Sequence, residues 1–532
     1  MKQRAATLFC LAALLLFIVY AGYVFAALAL GDPDTAFIVA IGQWILERGL
    51  LPSADTFSWT IAPNTPYICY QWLSAVVYAG AYNIAGPAGV IVCGGSLVFV
   101  ALVAAPLLAS MCLRLPAWIV TPIIYLLFSA CSFRLPARPE LFSYAFISCG
   151  LSAYLCYTAW LSRTRQTPLF TIRSWAIAWL GIFTAFVFWA NLHTGFVIGF
   201  SLLALLFLST LCITSLDVVI KRNVLAIFTG ISFVMIHLAV LINANGLGLF
   251  LYLPRLFFMR SNRLNVEQMP IALGQLLDDQ FWAFTILVLA MLGCLIAAGL
   301  AAWRAHKAKI DAPETTVLWP ALWGLYLHAC LMIAAALFCR RLVPFAALEA
   351  VFCTIGSLWV ILSGRSILQD MEGAGRKSAR NAWILTCFAG LAFMVGIALD
   401  CGTSRLALPN TTMTLGDLEP ALSFIQKERP VRDAMQGRLF NDAQFGDLVM
   451  LRFKGDIPVA MDTRFDLYGD DLVMHYWQIA NARGSFREDL DKEKIQWLFF
   501  PPQAPIVSKL ALDPDFEVVF RDAGAVILLR KH

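Results

Sequence analysis

Long apolar stretches recur along the first 400 residues of the chain, and short polar segments separate them. A helix needs about 20 apolar residues to cross a membrane. About eleven stretches approach or exceed that length: 7–30, 87–111, 116–133, 139–160, 174–190, 195–215, 223–243, 281–303, 317–339, 341–363 and 382–400. A shorter run, 71–86, is interpreted as an interfacial or half-inserted helix. The pattern predicts an α-helical polytopic membrane protein with about 11 spans.

The loops between these stretches differ in charge, and four of them are rich in Lys and Arg. These four loops are 163–173, 221–222, 304–309 and 365–380. Short basic loops mark the cytoplasmic side of a membrane. The alternation predicts a protein of the cytoplasmic (inner) membrane, with its N-terminus in the cytoplasm and its C-terminal end outside.

The C-terminal part of the chain has a different pattern, in which short predicted strands alternate with helices. Helices are predicted at 418–427, 443–453 and 470–482, and strands at 438–441, 457–461, 496–500, 516–520 and 525–529. This alternation indicates a small α/β layer domain. The predicted division is a transmembrane catalytic domain (1–402) with a first outer loop (31–70), a linker (403–416) and an extracytoplasmic domain (417–532).

Composition supports this division. Apolar residues make up 60% of the chain and charged residues 14%, whereas soluble domains have about 25% charged residues, so a soluble enzyme is excluded. The segment from Asp417 onward holds 19 of the 34 acidic and 15 of the 39 basic residues. The net charge of +5 indicates no nucleic-acid partner. Sequences of the P-loop or GxGxxG type and zinc-ligand spacings are also missing.

The predicted topology gathers unusual polar residues in five outer loops, numbered first to fifth in chain order: 31–70, 134–140, 189–193, 243–279 and 340–341. Those of interest are Asp32, Asp34, Gln71, Trp72, Arg134, Arg138, Glu140, Asn191, His193, Arg340 and Arg341. In the first loop, residues 35–48 are predicted to form an amphipathic interfacial helix. Taken singly, such residues are often solvated helix ends or arginines that reach lipid phosphate. Together, five loops on one face favour a catalytic or binding surface.

Two motifs and the order of the loops resemble a known architecture. Gly31-Asp32-Pro33-Asp34 follows the first helix in a long outer loop, and Arg138-Pro139-Glu140 begins the helix after the second outer loop. A soluble C-terminal domain ends the chain. This order resembles the GT-C fold of integral membrane glycosyltransferases. That superfamily includes protein mannosyltransferases, the aminoarabinose transferase of lipid A and the Rgt-type sugar transferases.

The resemblance implies that the protein is an inverting glycosyltransferase embedded in the membrane, with membrane lipids as partners. Its donor would be a sugar carried on polyprenyl phosphate, and its acceptor a lipid, glycan or protein outside the cytoplasm. Asp34 or Asp32 would be the catalytic base. Glu140 would orient the acceptor, complete a divalent-cation site (Mg²⁺ or Mn²⁺) with Asp32, or pair with Arg138.

The remaining polar residues of the outer loops are expected to bind substrate. Arg138, Arg340 and Arg341 would hold the phosphate, because a guanidinium matches phosphate in a bidentate way. The other predicted substrate-binding residues are Arg134, Gln71, Trp72, Asn191 and His193.

The run from Asp462 to Gly469 in the C-terminal domain follows a predicted buried strand. Ligands gather at such strand ends, so Arg464 and Asp466 are candidates for a polar or sugar-binding loop facing the membrane site. The alternative is an Arg464–Asp466 ion pair that fixes the turn.

Two other classes of function compete with the transferase. One is a transporter of a polar or lipid-linked substrate, and the other is a non-catalytic envelope assembly protein. Transporters tend to show repeats and charged groups at the bilayer midplane, whereas this sequence shows no clear repeat and collects its charges at one face. The pattern therefore favours the transferase.

Overall fold

The computed structural model describes residues 32–164, 172–213, 234–307, 313–363 and 415–531. The predicted spans at 7–30 and 382–400, and the basic loops at 221–222 and 365–380, lie outside the described residues. So does most of the predicted linker, whose last two residues, 415 and 416, already belong to a helix.

The first and larger part of the described chain is a bundle of helices. Its α-helices are Pro33–Arg48, Trp72–Phe99, Ala105–Cys112, Ala117–Cys131, Glu140–Thr164, Ile172–Leu192, Phe196–Ile213, Leu247–Phe258, Trp282–Lys307, Pro313–Phe338 and Val343–Ser363. Residues 234–241 are also helical. Short 3-10 turns occur at Ser132–Arg134, Arg260–Leu264, Val266–Gln268, Leu273–Leu277 and Arg340–Leu342.

Four described segments are long and apolar enough to cross a membrane. They are Trp72–Cys112, Glu140–Ala159, Trp282–Trp303 and Arg340–Leu362. Shorter apolar helices occur at Ile119–Arg134, Trp179–Leu192, Phe196–Leu206 and Leu322–Phe338. A helical membrane protein is therefore supported, and the count of 11 spans stays a prediction.

The run from Trp72 to Cys112 contains a break. Ala85 and Gly86 leave the helical region, and Gly86 adopts a φ of +60° directly ahead of Pro87. Proline disfavours helical geometry in the residue before it, and glycine tolerates positive φ. The break separates the short predicted element 71–86 from the longer predicted span 87–111. A π-helical segment, Val100–Ala104, follows further along.

The helix of the first outer loop, Pro33–Arg48, differs from its prediction. Every residue from 35 to 42 is buried, whereas an amphipathic helix would leave one face in water. The helix packs against the helix that begins at Trp72 on one side and against the C-terminal domain on the other. A Cβ on Gly42 would lie 2.0 Å from the carbonyl oxygen of Ala75, so glycine permits the close crossing.

A chain of polar side chains crosses the helical bundle. Nε2 of His328 lies 2.7 Å from Oγ of Ser201, and Nδ1 of His328 lies 2.8 Å from Oε2 of Glu349. Oγ of Ser201 also lies 2.9 Å from the carbonyl oxygen of Ile198. The chain joins three helices, and its two buried members, His328 and Glu349, are polar groups that need partners.

The C-terminal part forms an α/β domain around one sheet. Its strands are β1 (Arg438–Asn441), β2 (Ile495–Phe500), β3 (Phe516–Arg521) and β4 (Val526–Arg530), in the spatial order β1-β2-β4-β3. Only β1 and β2 run parallel. Its α-helices are Leu415–Glu428, Ala443–Phe453, Phe465–Tyr468, Asp470–Ala480, Phe486–Lys492 and Pro505–Leu510. The prediction of a small α/β domain agrees with this architecture.

One predicted strand, 457–461, is wrong. Its residues lie outside the sheet, because their backbone groups bond to the first outer loop instead. The amide of Val459 donates to the carbonyl oxygen of Phe57 at 2.9 Å, and the amide of Trp59 donates to the carbonyl oxygen of Val459 at 3.1 Å. The indole of Trp59 also donates to the carbonyl oxygen of Leu439 at 2.8 Å. The first outer loop therefore joins the two parts of the protein.

Candidate active site

Arg138 lies at the centre of a charged cluster formed by the outer loops. Its Nε and Nη2 atoms donate to the two carboxylate oxygens of Asp32 at 2.6 and 2.7 Å. Its Nη1 atom lies 3.1 Å from Asp34 and 3.2 Å from Glu267. Three outer loops therefore meet on one guanidinium group, as their convergence on one face predicts.

Arg134 forms the second, more deeply buried half of the cluster. Its Nη2 atom lies 2.5 Å from Glu140, and its Nη1 atom pairs with Glu267. Nη2 of Arg341 lies 3.4 Å from Glu140. The predicted pairing of Glu140 with Arg138 is wrong, because Arg138 is occupied by three other carboxylates.

Arg134 and Arg138 are paired with carboxylates of the protein itself. Arg134 is buried, whereas Arg138 is partly exposed. Removing one partner of a buried ion pair leaves an uncompensated charge, so both arginines serve as counter-ions of the cluster. Their contact with a substrate stays a prediction.

The four carboxylates of the cluster differ in exposure. Asp32 and Glu140 expose 6% and 2% of their side-chain surface, whereas Asp34 and Glu267 expose 27% and 29%. Although burial acts to raise it, Arg138 and Arg134 hold the pKa of Glu267 well below its usual range. Glu267 is therefore a poor proton acceptor.

Asp34 has the opposite electrostatic balance. Burial raises the pKa of Asp34 to about 6, with Arg138 opposing the rise and the negative charges of Asp32 and Glu267 adding to it. A carboxylate with a pKa near neutrality that is reached by solvent suits general-base catalysis. Of the two predicted bases, Asp34 has this chemistry, and Asp32 is committed to Arg138.

The residues expected to bind a divalent cation do not fit one. Both oxygens of Asp32 accept hydrogen bonds from Arg138, and Glu140 is enclosed by Arg134 and Arg341. Across the described residues, no three or more His, Cys, Asp or Glu side chains are grouped closely enough to hold a metal ion. The expected Asp32–Glu140 cation site is therefore not formed.

The two adjacent arginines of the fifth outer loop point to different places. Arg340 donates to the carbonyl oxygen of Pro270 at 3.2 Å and to Gln275 at 2.9 Å, so it anchors the fourth loop. Arg341 points toward Glu140 and exposes 41% of its side-chain surface. Arg341 is the most exposed arginine of this cluster. The phosphate contacts predicted for Arg340 and Arg341 stay predictions.

Two predicted substrate residues, Trp72 and Asn191, are bonded to each other. The indole of Trp72 donates to Oδ1 of Asn191 at 2.8 Å, and the amide of Asn191 donates to the carbonyl oxygen of Ile242 at 2.9 Å. These bonds give Trp72 and Asn191 a role in joining loops, which corrects their prediction as substrate ligands. Within the described parts of the chain, the half-buried side chain of Gln71 makes no hydrogen bond, so it is free to meet a substrate.

His193 belongs to a buried hydrogen-bonded turn. Its Nδ1 atom accepts from the amide of Gly195 at 3.0 Å and lies 2.7 Å from Oγ of Ser143. The indole of Trp189 donates to the same hydroxyl at 2.7 Å. The geometry gives His193 a role in fixing the turn, in place of the predicted contact with substrate.

In the C-terminal domain, Arg464 is a structural residue. Its guanidinium is bound by Asp462 at 2.6 Å and Asp55 at 2.8 Å, and it lies over the rings of Phe57 and Tyr67. The alternative pair of Arg464 with Asp466 is therefore wrong, and its contact with a substrate stays a prediction.

Asp466 faces the helical bundle. Its carboxylate accepts from the hydroxyl of Tyr252 at 2.8 Å, and Tyr252 belongs to the helix Leu247–Phe258. The ring of Tyr252 lies 6.2 Å from that of Tyr70. Asp466 is thus positioned at the junction between the two parts of the protein.

Two features of the site were not predicted. Glu267 lies in the short 3-10 turn Val266–Gln268, where no hydrophobic period marks its position. The hydroxyl of Thr463 in the C-terminal domain donates to Asp447 at 2.7 Å and acts to lower the pKa of Asp34. The only sequence signal for Thr463 is its place in the polar run that begins at Asp462.

No family model matches the sequence, and no curated protein matches it. Among solved structures, the Archaeoglobus fulgidus oligosaccharyltransferase, tethered to an acceptor peptide containing the NVT sequon, is similar with a TM-score of 0.59 and 14% identity. The match covers 92% of this chain and 68% of that one. The chain has the GT-C fold. The fold predicted from the loop order is therefore confirmed.

Two further structures are similar at a lower level. ArnT from Cupriavidus metallidurans bound to undecaprenyl phosphate has a TM-score of 0.46 and 13% identity, and the match covers 97% of both chains. The same protein in its apo state has a TM-score of 0.45.

Proposed function

We propose that the protein is a membrane glycosyltransferase that moves a sugar from a polyprenyl-phosphate carrier to a hydroxyl or amide group of a lipid, glycan or protein acceptor. The observation that carries the proposal is Asp34. It is a partly exposed carboxylate with a pKa raised to about 6, in a charged cluster formed by the outer loops of a GT-C fold.

The proposed reaction is a single displacement. Asp34 takes the proton of the acceptor as the acceptor atom attacks the anomeric carbon of the sugar. The bond from that carbon to the phosphate oxygen breaks, and its electron pair leaves with the phosphate. Attack opposite the leaving group inverts the anomeric configuration. Removing a general base typically costs about 10²–10⁴ in rate.

Arg341 supplies the positive charge that the leaving phosphate needs. Its guanidinium is half-exposed and is held by one carboxylate, Glu140, at 3.4 Å. Hydrogen bonds between arginine and phosphate are charge-assisted and become stronger where water is excluded. Arg138 holds Asp34 in position, with Nη1 at 3.1 Å from the carboxylate.

The reaction is proposed to occur on the outer side of the cytoplasmic membrane. The loops that carry Asp34, Arg138 and Arg341 share one face, and the basic loops that mark the cytoplasmic side fall between the other ends of the predicted spans. The C-terminal domain packs on the same face, against the helix Pro33–Arg48.

The proposal is tested by the products of purified protein in lipid nanodiscs. The protein is supplied with a panel of radiolabelled polyprenyl-phosphate sugars and with envelope extract as the acceptor source. We expect one donor to yield free polyprenyl phosphate and a labelled acceptor in equal amounts, with inverted configuration. Donor that stays intact throughout the panel, or that crosses the bilayer unchanged, would reject the transferase and favour transport.

A further inference from the structure

A cavity of about 180 Å³ lies where the first outer loop meets the C-terminal domain, and it shares no lining residue with the charged cluster around Arg138. The first outer loop contributes Trp59 and Thr60 to its wall. The domain contributes residues of β1, of the helices Asp470–Ala480 and Phe486–Lys492, and of the start of β2. The cavity therefore needs both parts of the protein.

The deeper wall of the cavity is apolar, and its aromatic side chains are held in place. Buried side chains of the domain core contribute to this wall: Phe440, Ile479, Leu490 and Ile495. The indole of Trp59 donates to the carbonyl oxygen of Leu439 at 2.8 Å. The hydroxyl of Tyr476 donates to the carbonyl oxygen of Asn441 at 3.0 Å. Aromatic rings fixed by their polar ends offer a rigid apolar surface to a ligand.

The cation at the mouth of the cavity is already engaged. Arg438 and Glu493 expose 48% and 40% of their side chains and pair with each other at 3.5 Å. The guanidinium of Arg438 also lies over the ring of Trp59, 4.8 Å from its centroid, and donates to the carbonyl oxygen of Glu493 at 2.9 Å. A phosphate or other anion is therefore not the ligand that this mouth favours.

Two other polar groups of the wall are open to a ligand. The carboxylate of Asp489 accepts one long hydrogen bond, from Oγ of Ser485 at 3.3 Å. Within the residues that the structure describes, the ring of His475 makes no hydrogen bond or ion pair. A carboxylate accepts from hydroxyl groups, and an imidazole ring can donate to them. Asp489 and His475 therefore suit a ligand that is rich in hydroxyl groups.

These properties match a single ring of a carbohydrate. A pyranose ring has C–H groups on its faces, which suit the aromatic wall, and hydroxyl groups around its edge, which suit the polar mouth. Pockets that hold drug-sized ligands have volumes of about 300–1,000 Å³. At about 180 Å³ this cavity is smaller, so it suits one ring.

We propose that this cavity binds one neutral sugar unit of a glycan acceptor. Trp59 and Thr60 belong to the same outer loop as Asp34, so a glycan held here is bound by the loop that carries the proposed base. The role of the glycan as acceptor rests on the proposed function, whereas the binding of a sugar by the cavity does not.

The first test measures binding by the full-length protein in lipid nanodiscs, with saturation-transfer NMR. The probes are the methyl glycosides of glucose, galactose, mannose and N-acetylglucosamine. At least one is expected to bind with a Kd on the order of 1 mM, the range of small polar ligands. Leu472→Trp fills the cavity and is expected to abolish this binding. Met474→Trp, on the same helix but outside the cavity, is its matched control.

A milder variant tests the polar contact without adding bulk. Asp489→Asn is expected to weaken binding by about 10-fold or more, because a hydrogen bond to a charged group is replaced by one to a neutral group. Asp471→Asn, an exposed carboxylate outside the cavity, is expected to leave it unchanged.

Three outcomes would overturn the assignment of a sugar site. One is that no glycoside binds at concentrations up to roughly 10 mM. Another is binding that survives both Leu472→Trp and Asp489→Asn. The third is binding of trilysine in place of the glycosides, which would assign the cavity to a cationic peptide.

The transfer assay then separates this site from the proposed function. Leu472→Trp is expected to raise the apparent KM for the acceptor by about 10-fold, as the loss of a binding contact does, and Met474→Trp is expected to leave it unchanged. Sugar binding without any transfer would reject only the proposed function. Transfer with a normal acceptor KM in Leu472→Trp would reject only the role of the cavity.

Discussion

Arg138 donates two hydrogen bonds to the carboxylate of Asp32, at 2.6 and 2.7 Å, although 106 positions separate the two residues in the sequence. This pair joins the first and second outer loops. Because Asp32 is committed to Arg138, the next carboxylate along the chain, Asp34, has a longer contact of 3.1 Å with the same guanidinium and is partly exposed to solvent. The division of roles between the two aspartates follows from this geometry.

The first prediction concerns pH. A general base acts in its ionised form, so kcat/KM is expected to rise as pH increases through about 6, the raised pKa of Asp34. The prediction is checked by measuring kcat/KM between pH 4.5 and pH 8, in steps of about half a pH unit. A rate that is flat across this interval would contradict the assignment of Asp34.

Asp32→Asn is the matched variant for the pH profile. It removes the negative charge that helps raise the pKa of Asp34. The rise of its kcat/KM with pH is therefore expected at lower pH than in the wild type. The variant keeps measurable transfer, because the base is retained. If the rise of kcat/KM moved to higher pH instead, Asp32 would not act on Asp34 in this way.

The second prediction separates the two arginines of the fifth loop. Arg341→Ala is expected to weaken apparent donor affinity by about 10-fold or more, because a hydrogen bond to a charged group contributes about 1.5–3 kcal/mol. Arg340→Ala removes bonds to Pro270 and Gln275 and is expected to lower thermal stability with a smaller effect on donor affinity. Transfer rates across donor concentrations and melting curves for both variants make the comparison. Equal effects on donor affinity would rule out a special role for Arg341.

The third prediction concerns stability. Arg464→Met is expected to destabilise the protein by about 3–5 kcal/mol, because Asp462 and Asp55 would remain buried without their partner. Arg483→Met serves as a control, since Arg483 contacts only the ring of Trp477 among the contacts described for its guanidinium. Limited proteolysis of the C-terminal domain in both variants measures the difference. Equal protease resistance would contradict the structural role of Arg464.

The fourth prediction concerns topology. Leu512, whose surface is 88% exposed in the C-terminal domain, is expected to react from outside the cell when replaced by cysteine. Gln166→Cys, in the basic loop 163–173, is expected to react with the same membrane-impermeant maleimide only after lysis. A background that lacks the native cysteines makes the labelling specific. Labelling of Leu512→Cys from the cytoplasmic side would place the proposed catalytic face there too.

Much of the fold could be predicted because it depends on local patterns. The predicted helix 443–453 and strand 438–441 have the same bounds in the structure. The segment 457–461 was mistaken for a sheet strand because its apolar run is the same whether it bonds to a sheet or to a loop. Its partner, Ser58, lies about 400 positions earlier, and no local pattern connects the two.

The candidate site was only partly predictable, for the same reason. Loop charge indicated which residues share the outer face, and the structure brings Asp32, Asp34 and Arg138 together. Which charge pairs with which depends on packing between loops that are distant in sequence. Glu267 was missed because a 3-10 turn in a long loop has no periodic signal, although it neutralises both central arginines.

The most direct measurement is the transfer rate of Asp34→Asn relative to the wild type at pH 7.5, roughly 1.5 units above the pKa of about 6. We expect a loss of about 10²–10⁴-fold. Burial raises the pKa of Asp34 to about 6. Ionising Asp34 therefore lowers the stability of the folded state, and this loss develops as pH rises from about 4 to about 6. The variant is therefore expected to melt at or above the wild-type temperature. A stable Asp34→Asn protein that transfers sugar within a few-fold of the wild-type rate would contradict the central role of Asp34.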